Sequence, residues 1–331
     1  MIDTPYLLFL GDAPDPLAAE VAQGIRDWRP EAAIGQLRLD GCKAEMGLPD
    51  MTPREAAERG AKTLVIGVAN RGGVIAPDWT AVLIEALGAG LDLAAGLHAL
   101  LRDVQPLAEA AAATGRKLHD VRVPPRTYPI ATGERRAGRR CLAVGTDCSV
   151  GKMYTALAME KVMRERGISA AFRATGQTGI LITGEGVPLD AVVADFMAGA
   201  IEWLSPAGDP AHWDLIEGQG SLFHPSFSGV TLALIHGAQA DALVLCHEPT
   251  RRHMRGLPGT ALPSLEALRD LSLQMARMVN PEARVMGVSV NTAAMPRQAA
   301  LDYLKALERR MGLPAVDPFR QGAGRLVDAL E

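Results

Sequence analysis

A glycine-containing run near the middle of the chain has the residue types of a phosphate-binding loop. The run reads Gly145-Thr146-Asp147-Cys148-Ser149-Val150-Gly151-Lys152-Met153. The apolar segment 140–144 before it predicts a buried strand, and the periodicity of 154–166 after it predicts a helix. When a strand, a glycine loop and a helix follow one another in this order, the backbone N–H groups of the loop and the helix N-terminus face an anion. Lys152 adds a positive charge. We therefore predict that the residues of this run, apart from Asp147, bind phosphate groups.

The residue after the lysine sets this loop apart from a common Walker loop. The spacing is Gly-x5-Gly-Lys, one residue longer than the common form, and Met153 stands where Ser or Thr normally ligates Mg²⁺. A thioether is a poor ligand for hard Mg²⁺. The sequence thus predicts a loop that holds a pyrophosphate but is poorly equipped for metal-assisted hydrolysis, and we expect no bound metal.

Strand and helix signals alternate along the whole chain and would position this loop. Strand signals predict ten strands, at 6–10, 34–39, 63–68, 91–95, 119–123, 141–144, 170–174, 213–217, 242–245 and 285–290. Helical signals lie between most of them, including one at 230–236, and a glycine-rich turn is expected after residue 174. Such alternation is typical of parallel sheets. We predict an α/β fold of two doubly wound parallel-sheet domains, the first Rossmann-like and the second P-loop NTPase-like.

Turn and charge signals indicate where the two predicted domains meet. Pro124-Pro125-Arg126 opens a segment that carries turn residues and charges up to Arg140. We therefore place an N-terminal domain at 1–125 and a C-terminal domain at 126–331.

Composition and residue patterns argue against several classes of partner and site. The chain has 331 residues, a net charge of −4, no long basic run and only 4% aromatic residues, so we expect no nucleic-acid partner. The four cysteines form no CxxC pair, which argues against a zinc site or a disulfide framework. The apolar run 6–10 is too short for a signal peptide, and no window is long enough to span a membrane. We expect a cytoplasmic homo-oligomer without a membrane partner.

Three segments of the C-terminal half match one group of P-loop proteins. They are the loop itself, Trp213-Asp214-Leu215-Ile216-Glu217-Gly218-Gln219-Gly220 and Ser289-Val290-Asn291. With these segments the half resembles dethiobiotin synthetase and related proteins. The resemblance implies that Glu217 lies where metal and substrate are contacted and that Asn291 reads an adenine edge. Met153 departs from the pattern at the position that ATP chemistry needs.

A wider set of segments matches another family over essentially the whole chain. They are Gly90-Leu91-Asp92 through Gly96-Leu97-His98, 145–152, Ala174-Thr175-Gly176-Gln177-Thr178-Gly179, Val193-Ala194-Asp195-Phe196, 217–225 and Cys246-His247-Glu248. Together they resemble the D-glutamate N-acetyltransferase family, long described as a domain of unknown function. The resemblance implies a Rossmann-like domain followed by a P-loop domain. It also implies transfer of acetyl from acetyl-CoA to D-glutamate, giving N-acetyl-D-glutamate for D-amino-acid catabolism.

Acetyl transfer to an amine requires a group that takes a proton from the ammonium. Glu217 ends a predicted strand at the crevice where open α/β sheets bind ligands, and it is either a base or ammonium anchor, or a loop brace. His224 follows the same glycines and is either the base or a packed loop residue. Asp147 either orients Lys152 or contacts substrate. The sequence leaves the base unassigned among these catalytic candidates.

The two carboxylates of D-glutamate favour arginine and amide partners. Arg71 follows an apolar strand and precedes a Gly-Gly turn, and Arg173 precedes the Thr-Gly-Gln-Thr-Gly segment. Gln177 and Gln219 lie in glycine turns and could supply amide contacts. We take these four residues as substrate-binding candidates. The D stereochemistry rests on the resemblance alone.

Two other functions stay open on the sequence. One is a ligase or kinase that uses Mg²⁺ and ATP, in which Asp147, Glu217 and Thr155 would have to hold the metal. The other is a regulator that binds a nucleotide without turnover. Met153 weighs against the first of these and leaves the second standing.

Overall fold

The structure, a computed structural model, describes residues 2–68 and 73–330 and divides into two compact units. The first unit comprises Met1–Pro125 and Gly176–Ala191, and the second comprises Arg126–Thr175 and Val192–Glu331. The chain thus passes into the second unit after Pro125, and a short segment returns to the first. No described helix has the length and apolar character needed to cross a bilayer.

The first unit is built on a five-stranded parallel sheet. Its strands are β1 (Tyr6–Gly11), β2 (Ala33–Arg38), β3 (Thr63–Ile66), β4 (Asp92–Ala95) and β5 (Leu118–Asp120). They are ordered β2-β1-β3-β4-β5. Helices connect them: α1 (Glu20–Trp28), α2 (Pro53–Glu58), α3 (Trp79–Gly88) and α4 (Gln105–Thr114). Every residue of β1, β3 and β4 is buried, as expected for parallel strands that are covered on both faces.

The second unit is built on a six-stranded parallel sheet. Its elements are β6 (Arg139–Gly145), α5 (Lys152–Glu165), β7 (Ala170–Arg173), α7 (Ala194–Leu204), β8 (Trp213–Ile216), α8 (Ser228–Ala238), β9 (Ala242–His247), α9 (Leu265–Arg277), β12 (Arg284–Val290), α10 (Arg297–Met311), β13 (Ala315–Val316) and α11 (Gly324–Asp328). Helix α6 (Gln177–Thr183), which follows β7 in sequence, belongs to the first unit. An antiparallel hairpin of β10 (His253–Met254) and β11 (Leu257–Ala261) follows β9.

The sheet order of the second unit places the loop at a switch point. The order is β13-β12-β9-β6-β8-β7, so β6 lies between β9 on one side and β8 on the other. The chain leaves β6 for β7 and β8 on one side and later returns to β9 and β12 on the other. Open α/β sheets bind ligands at the carboxyl ends of strands where the order reverses in this way. The loop after β6 occupies this position.

All ten predicted strands are present, as is the helix predicted at 230–236, which is α8. The two parallel sheets confirm the predicted α/β fold. The glycine-rich turn expected after residue 174 is wrong as a turn, because Gly176 is the N-cap of helix α6. Glycines at 176, 179 and 184 weaken the helical signal there, since glycine disfavours helix interiors. Strands β10, β11 and β13 were not predicted.

Candidate active site

The phosphate loop connects the buried strand β6 to helix α5 over residues 146–151. Gly151, the N-cap of α5, has a φ of 98°, a left-handed conformation that glycine adopts without strain. Thr146 and Val150 are buried and fix the loop at both sides. Helix α5 has 14 residues and begins at Lys152, so the N–H groups of its first turn and its positive dipole end lie at the loop.

Lys152 lies inside the loop with only 5% of its surface exposed. Its Nζ donates a hydrogen bond to the carbonyl oxygen of Asp147 at 2.7 Å. Burial lowers the pKa of Lys152 from its ordinary value. Gly218, after β8, makes room for this lysine: a Cβ there would lie 1.7 Å from the Ala143 carbonyl oxygen and 3.0 Å from Lys152 Cδ. An anionic ligand would therefore stabilise the charged form of Lys152.

Asp147 is fully buried, and its carboxylate organises the loop. Oδ1 accepts the backbone N–H of Cys148 at 2.7 Å, and Oδ2 accepts Arg251 Nη1 and the backbone N–H of Arg255, both at 2.8 Å. Burial raises the pKa of this carboxyl, but the hydrogen bonds from Arg251, Arg255 and Cys148 outweigh that effect and lower it overall. An ionised, fully bonded Asp147 is suited to positioning the loop and poorly suited to taking a proton.

Two arginines that the sequence analysis missed lie against the loop. Arg251 donates to the carbonyl oxygens of Cys148 at 2.5 Å and Ser149 at 3.1 Å, and it pairs with Glu248 at 2.5 Å. Arg255 donates to the Ser149 hydroxyl. With Lys152 they form a group of three cations at the N-terminus of α5. The available signal was three arginines among residues 251–255, just beyond the end of a buried strand.

His224 supports the same region from the loop after β8. The ring is 2% exposed, and its Nε2 lies 3.2 Å from the Arg255 carbonyl oxygen, to which it donates. Its Nδ1 accepts the backbone N–H of Ser226 at 3.2 Å, and the ring of Phe227 stacks on it with centroids 4.6 Å apart. Both ring nitrogens are therefore engaged. His224 and Asp147 hold the two sides of the Arg255 backbone.

Glu217 and Gln219 tie the end of β8 to Thr175, which follows β7. Glu217 is 6% exposed, and its Oε2 accepts the backbone N–H of Thr175 at 2.8 Å. The side-chain amide of Gln219 donates to the carbonyl oxygen of Thr175 and, at 3.3 Å, to its hydroxyl. Both side chains therefore lie at the carboxyl edge of the sheet, one strand from the phosphate loop.

On the other side of the loop, β9 and β12 end in polar residues. The hydroxyl of Thr146 lies 3.0 Å from Nδ1 of His247, and the backbone N–H of Asn291 donates to the His247 carbonyl oxygen at 2.8 Å. Burial, together with Arg310 and Arg251, lowers the pKa of His247 to about 4. The Oδ1 of Asn291 accepts from Ala293 at 3.1 Å. Asn291 thus lies at the same sheet edge as the loop.

The remaining substrate candidates lie elsewhere. Arg173 makes an ion pair with Asp214, with 2.6 Å between Nε and Oδ1, which joins the edge strand β7 to its neighbour β8. Gln177 is the first residue of α6 and belongs to the first unit, where its side chain packs against Gly96 and its Oε1 is buried without a hydrogen-bond partner among the described residues. Arg71 lies outside the described residues.

One group within the described ranges, 2–68 and 73–330, has the residue types and spacing of a metal site. Ligand atoms of Asp147, Cys148 and His224 all lie within 4.8 Å of one another. The Asp147 oxygens already accept hydrogen bonds, one from a cation, and both nitrogens of His224 are engaged. Burial raises the pKa of the Cys148 thiol despite the nearby Lys152, so a thiolate ligand is disfavoured. This donor set does not fit a metal ion.

The residues that ATP chemistry would need for Mg²⁺ are also engaged elsewhere. Thr155 is fully buried, and its hydroxyl bonds the Gly151 carbonyl oxygen at 2.8 Å and the Ser289 hydroxyl at 2.7 Å. Asp147 and Glu217 accept the N–H donors described above. Met153 offers no oxygen. The loop therefore fits an anion without an accompanying Mg²⁺.

The protein has two parallel α/β units, and the second carries a lysine-containing phosphate loop on its central strand. These features define a protein with a Rossmann-like domain and a P-loop domain. The chain belongs to the DUF1611 family. Residues 37–124 match its N-terminal part, described as a Rossmann-like domain of unknown function, and residues 129–327 match its C-terminal part, described as a P-loop domain of unknown function.

Known proteins resemble this chain over its whole length. A protein of Tritonibacter scottomollicae named D-glutamate N-acetyltransferase is 68% identical over 330 residues, 100% of this chain and 99% of the relative. A second protein of that name, from a Pseudoalteromonas species, is 47% identical over 98% of both chains. A crystal structure of a DUF1611 family protein from Anabaena variabilis superposes with a TM-score of 0.88 at 32% identity over 99% of both chains.

Proposed function

We propose that this chain is a D-glutamate N-acetyltransferase that takes the acetyl group from acetyl-CoA. The named relatives, 68% and 47% identical over essentially the full length, support the reaction class and the acceptor. D-Glutamate supplies the amino group, and N-acetyl-D-glutamate is the product, which fits a role in D-amino-acid catabolism. The cytoplasmic location and the homo-oligomeric state remain predictions from the sequence.

The observation that carries the choice of donor is the phosphate loop without a magnesium ligand. CoA has a pyrophosphate and a 3′-phosphate that must be held and not cleaved, and its thioester supplies the activated acetyl group. We assign its phosphates to Gly145, Thr146, Cys148, Ser149, Val150, Gly151, Lys152 and Met153. Lys152, Arg251 and Arg255 supply positive charge there, and the N-terminus of α5 supplies free N–H groups.

The catalytic candidates then take different roles. Asp147 positions the loop, since its carboxylate is held by Arg251 and by two backbone N–H groups. His224 positions Arg255 through that residue's carbonyl oxygen. We assign proton removal, or anchoring of the ammonium group, to Glu217, a buried carboxylate at the carboxyl end of β8 beside the loop strand. Arg71, Arg173, Gln177 and Gln219 remain candidates for the substrate carboxylates.

The test is release of free thiol from acetyl-CoA in the presence of D- or L-glutamate, each with and without EDTA. We expect thiol release with D-glutamate that EDTA does not change, and a product mass of N-acetylglutamate. Thiol release with L-glutamate alone would refute the acceptor. No thiol release with any amino acid would refute the transfer reaction.

A ligase or kinase using Mg²⁺ and ATP is not favoured. The relatives carry no such name, and Thr155, Asp147 and Glu217 all have hydrogen-bond partners within the protein. Phosphate release from ATP and Mg²⁺ with D-glutamate, in the absence of acetyl-CoA, would reverse this preference.

A further inference from the structure

An exposed aromatic ring lies beside the first turn of the helix that follows the phosphate loop. Phe319 has 67% of its surface exposed, although it is a large apolar side chain. It follows β13, and its ring lies near that of Tyr154, with centroids 6.1 Å apart and planes at 50°. Tyr154 is the third residue of α5, two residues after Lys152. We call the pair Tyr154 and Phe319 the aromatic shelf.

The loop that carries Phe319 is fixed by a buried carboxylate. Asp317 is 4% exposed, and its Oδ1 accepts the backbone N–H groups of Phe319 at 3.0 Å and Arg320 at 3.1 Å. Its Oδ2 accepts the backbone N–H of Thr292 at 3.1 Å and the Thr292 hydroxyl. The ring is therefore presented to solvent by an ordered turn. An exposed aromatic face beside the start of the helix that follows the loop is available to stack a planar ligand.

The turn after β12, which Asp317 contacts through Thr292, carries the side-chain amide of Asn291. Asn291 immediately precedes Thr292, and its Oδ1 accepts from Ala293, which orients the side-chain amide. Arg320 donates from two nitrogens to the carbonyl oxygens of Ala293 and Met295. These bonds join the turn after β13 to the turn after β12 a second time. The shelf, a fixed amide and the cationic loop thus lie along one stretch of the sheet edge.

We propose that the aromatic shelf of Tyr154 and Phe319 stacks the adenine ring of the acetyl donor. A ligand that carries both phosphates and a planar heteroaromatic ring matches this juxtaposition, because Tyr154 lies in the first turn of the helix that begins at Lys152. Stacking on an aromatic face is strong and needs no hydrogen-bonding group on the protein ring. The inference rests on the proposed function for its choice of CoA over other adenine nucleotides.

The primary experiment is calorimetric titration of the full-length protein with CoA in the absence of any amino acid. Phe319→Ala should weaken CoA binding roughly tenfold, the effect expected for loss of one base–aromatic stack. Phe319→Trp should retain binding within about twofold, whereas Phe319→Leu, which keeps an apolar side chain without a ring, should behave as Phe319→Ala. Met278→Ala removes a similarly exposed apolar side chain, at 69%, and should not change the affinity.

Turnover with a truncated donor separates stacking from general damage. Acetyl-pantetheine keeps the thioester and lacks the adenine nucleotide, so Phe319→Ala should lower kcat/KM for acetyl-CoA and leave kcat/KM for acetyl-pantetheine unchanged. An equal loss with both donors would overturn the proposal. Titration with ATP identifies the source of the base: tighter binding of ATP than of CoA would overturn the assignment to the acetyl donor.

Two results distinguish failure of the shelf from failure of the proposed function. If the native protein binds CoA through Phe319 but releases no thiol with D-glutamate, the acetyltransferase proposal fails and the shelf stands. If the native protein acetylates D-glutamate and Phe319→Ala binds CoA normally, the shelf fails and the enzyme stands. A change in oligomeric mass on Phe319→Ala, with unchanged CoA affinity, would assign the ring to a subunit contact and overturn the inference.

Discussion

Arg251 and Asp147 form an ion pair within the phosphate loop region, with 2.8 Å between Nη1 and Oδ2, although 104 residues separate them in sequence. Asp147 has no exposed surface. Arg251→Ala leaves this carboxylate with backbone donors alone, and breaking a buried pair from one side costs about 3 kcal/mol or more. We expect the free energy of unfolding, measured with denaturant, to fall by about that amount and the KM for acetyl-CoA to rise.

Two variants define the control for this prediction. Arg269 pairs with Asp270 at the surface, so Arg269→Ala should change the free energy of unfolding by less than about 0.5 kcal/mol. Arg251→Lys should not restore the native value, because one ammonium group cannot bond Asp147, Glu248 and two loop carbonyls together. Equal stability of Arg251→Ala and Arg269→Ala would show that the pair does not organise the loop.

Lys152→Ala tests whether the loop holds the acetyl donor. A charge-assisted bond to phosphate contributes about 1.5–3 kcal/mol, so the KM for acetyl-CoA should rise roughly tenfold or more. The KM for D-glutamate should stay within about twofold, since the lysine lies among loop residues. Lys161→Ala, on the same helix and exposed, is the matched control. Steady-state kinetics with each substrate varied in turn decide the point, and an unchanged KM for acetyl-CoA would remove the loop from the donor site.

The sequence was sufficient for those parts of the fold whose signals are local. The loop between β6 and α5 was predicted from nine consecutive residues, and buried strands such as β1 and β9 from unbroken apolar runs. A parallel sheet needs such runs because both of its faces are covered. Helix α6 was not predicted because its glycines resemble a turn. Strands β10 and β13 were not predicted because each is only two residues long.

Much of the candidate site could not be predicted, because its contacts join distant parts of the chain. Arg251 and Arg255 reach the loop only because β9 lies beside β6 in the sheet, an arrangement that strand periodicity does not reveal. Arg173 was a substrate candidate by its place before the Thr-Gly-Gln-Thr-Gly segment, but its partner Asp214 lies on the neighbouring strand β8. A sequence shows which residues carry charge, whereas sheet order decides which charges meet.

The partly buried imidazole of His247 gives the protein a pH-dependent stability. Its pKa falls from 6.5 to about 4 in the folded protein, so the unfolded chain takes up the proton first as the pH falls. Its contribution is therefore present above about pH 6.5 and lost as the pH falls towards 4. We expect the native protein to lose about 1–3 kcal/mol more than His247→Gln between pH 7.5 and 5.0, measured by denaturant unfolding.

The exposed His253 provides the comparison for this pH effect. His253→Gln should follow the native pH profile, because its imidazole remains in solvent in the folded protein. If His247→Gln and the native protein lose equal stability over this range, the hydrogen bond between Thr146 and His247 does not depend on a neutral ring.

Gly218→Ala tests the close approach of β8 to the strand that carries the loop. A Cβ at this position would lie 1.7 Å from the carbonyl oxygen of Ala143, a backbone atom of β6 that cannot move without disturbing the sheet. We expect a loss of folding stability of about 3 kcal/mol or more and, in any folded fraction, a raised KM for acetyl-CoA, because Lys152 Cδ lies 3.0 Å from the same Cβ. Gly229→Ala is the matched control, since it lies in α8 with no atom within 4 Å of its Cβ and should gain about 0.5–1 kcal/mol. A Gly218→Ala protein with native stability and native KM would mean that β8 can shift away from β6 without moving the lysine.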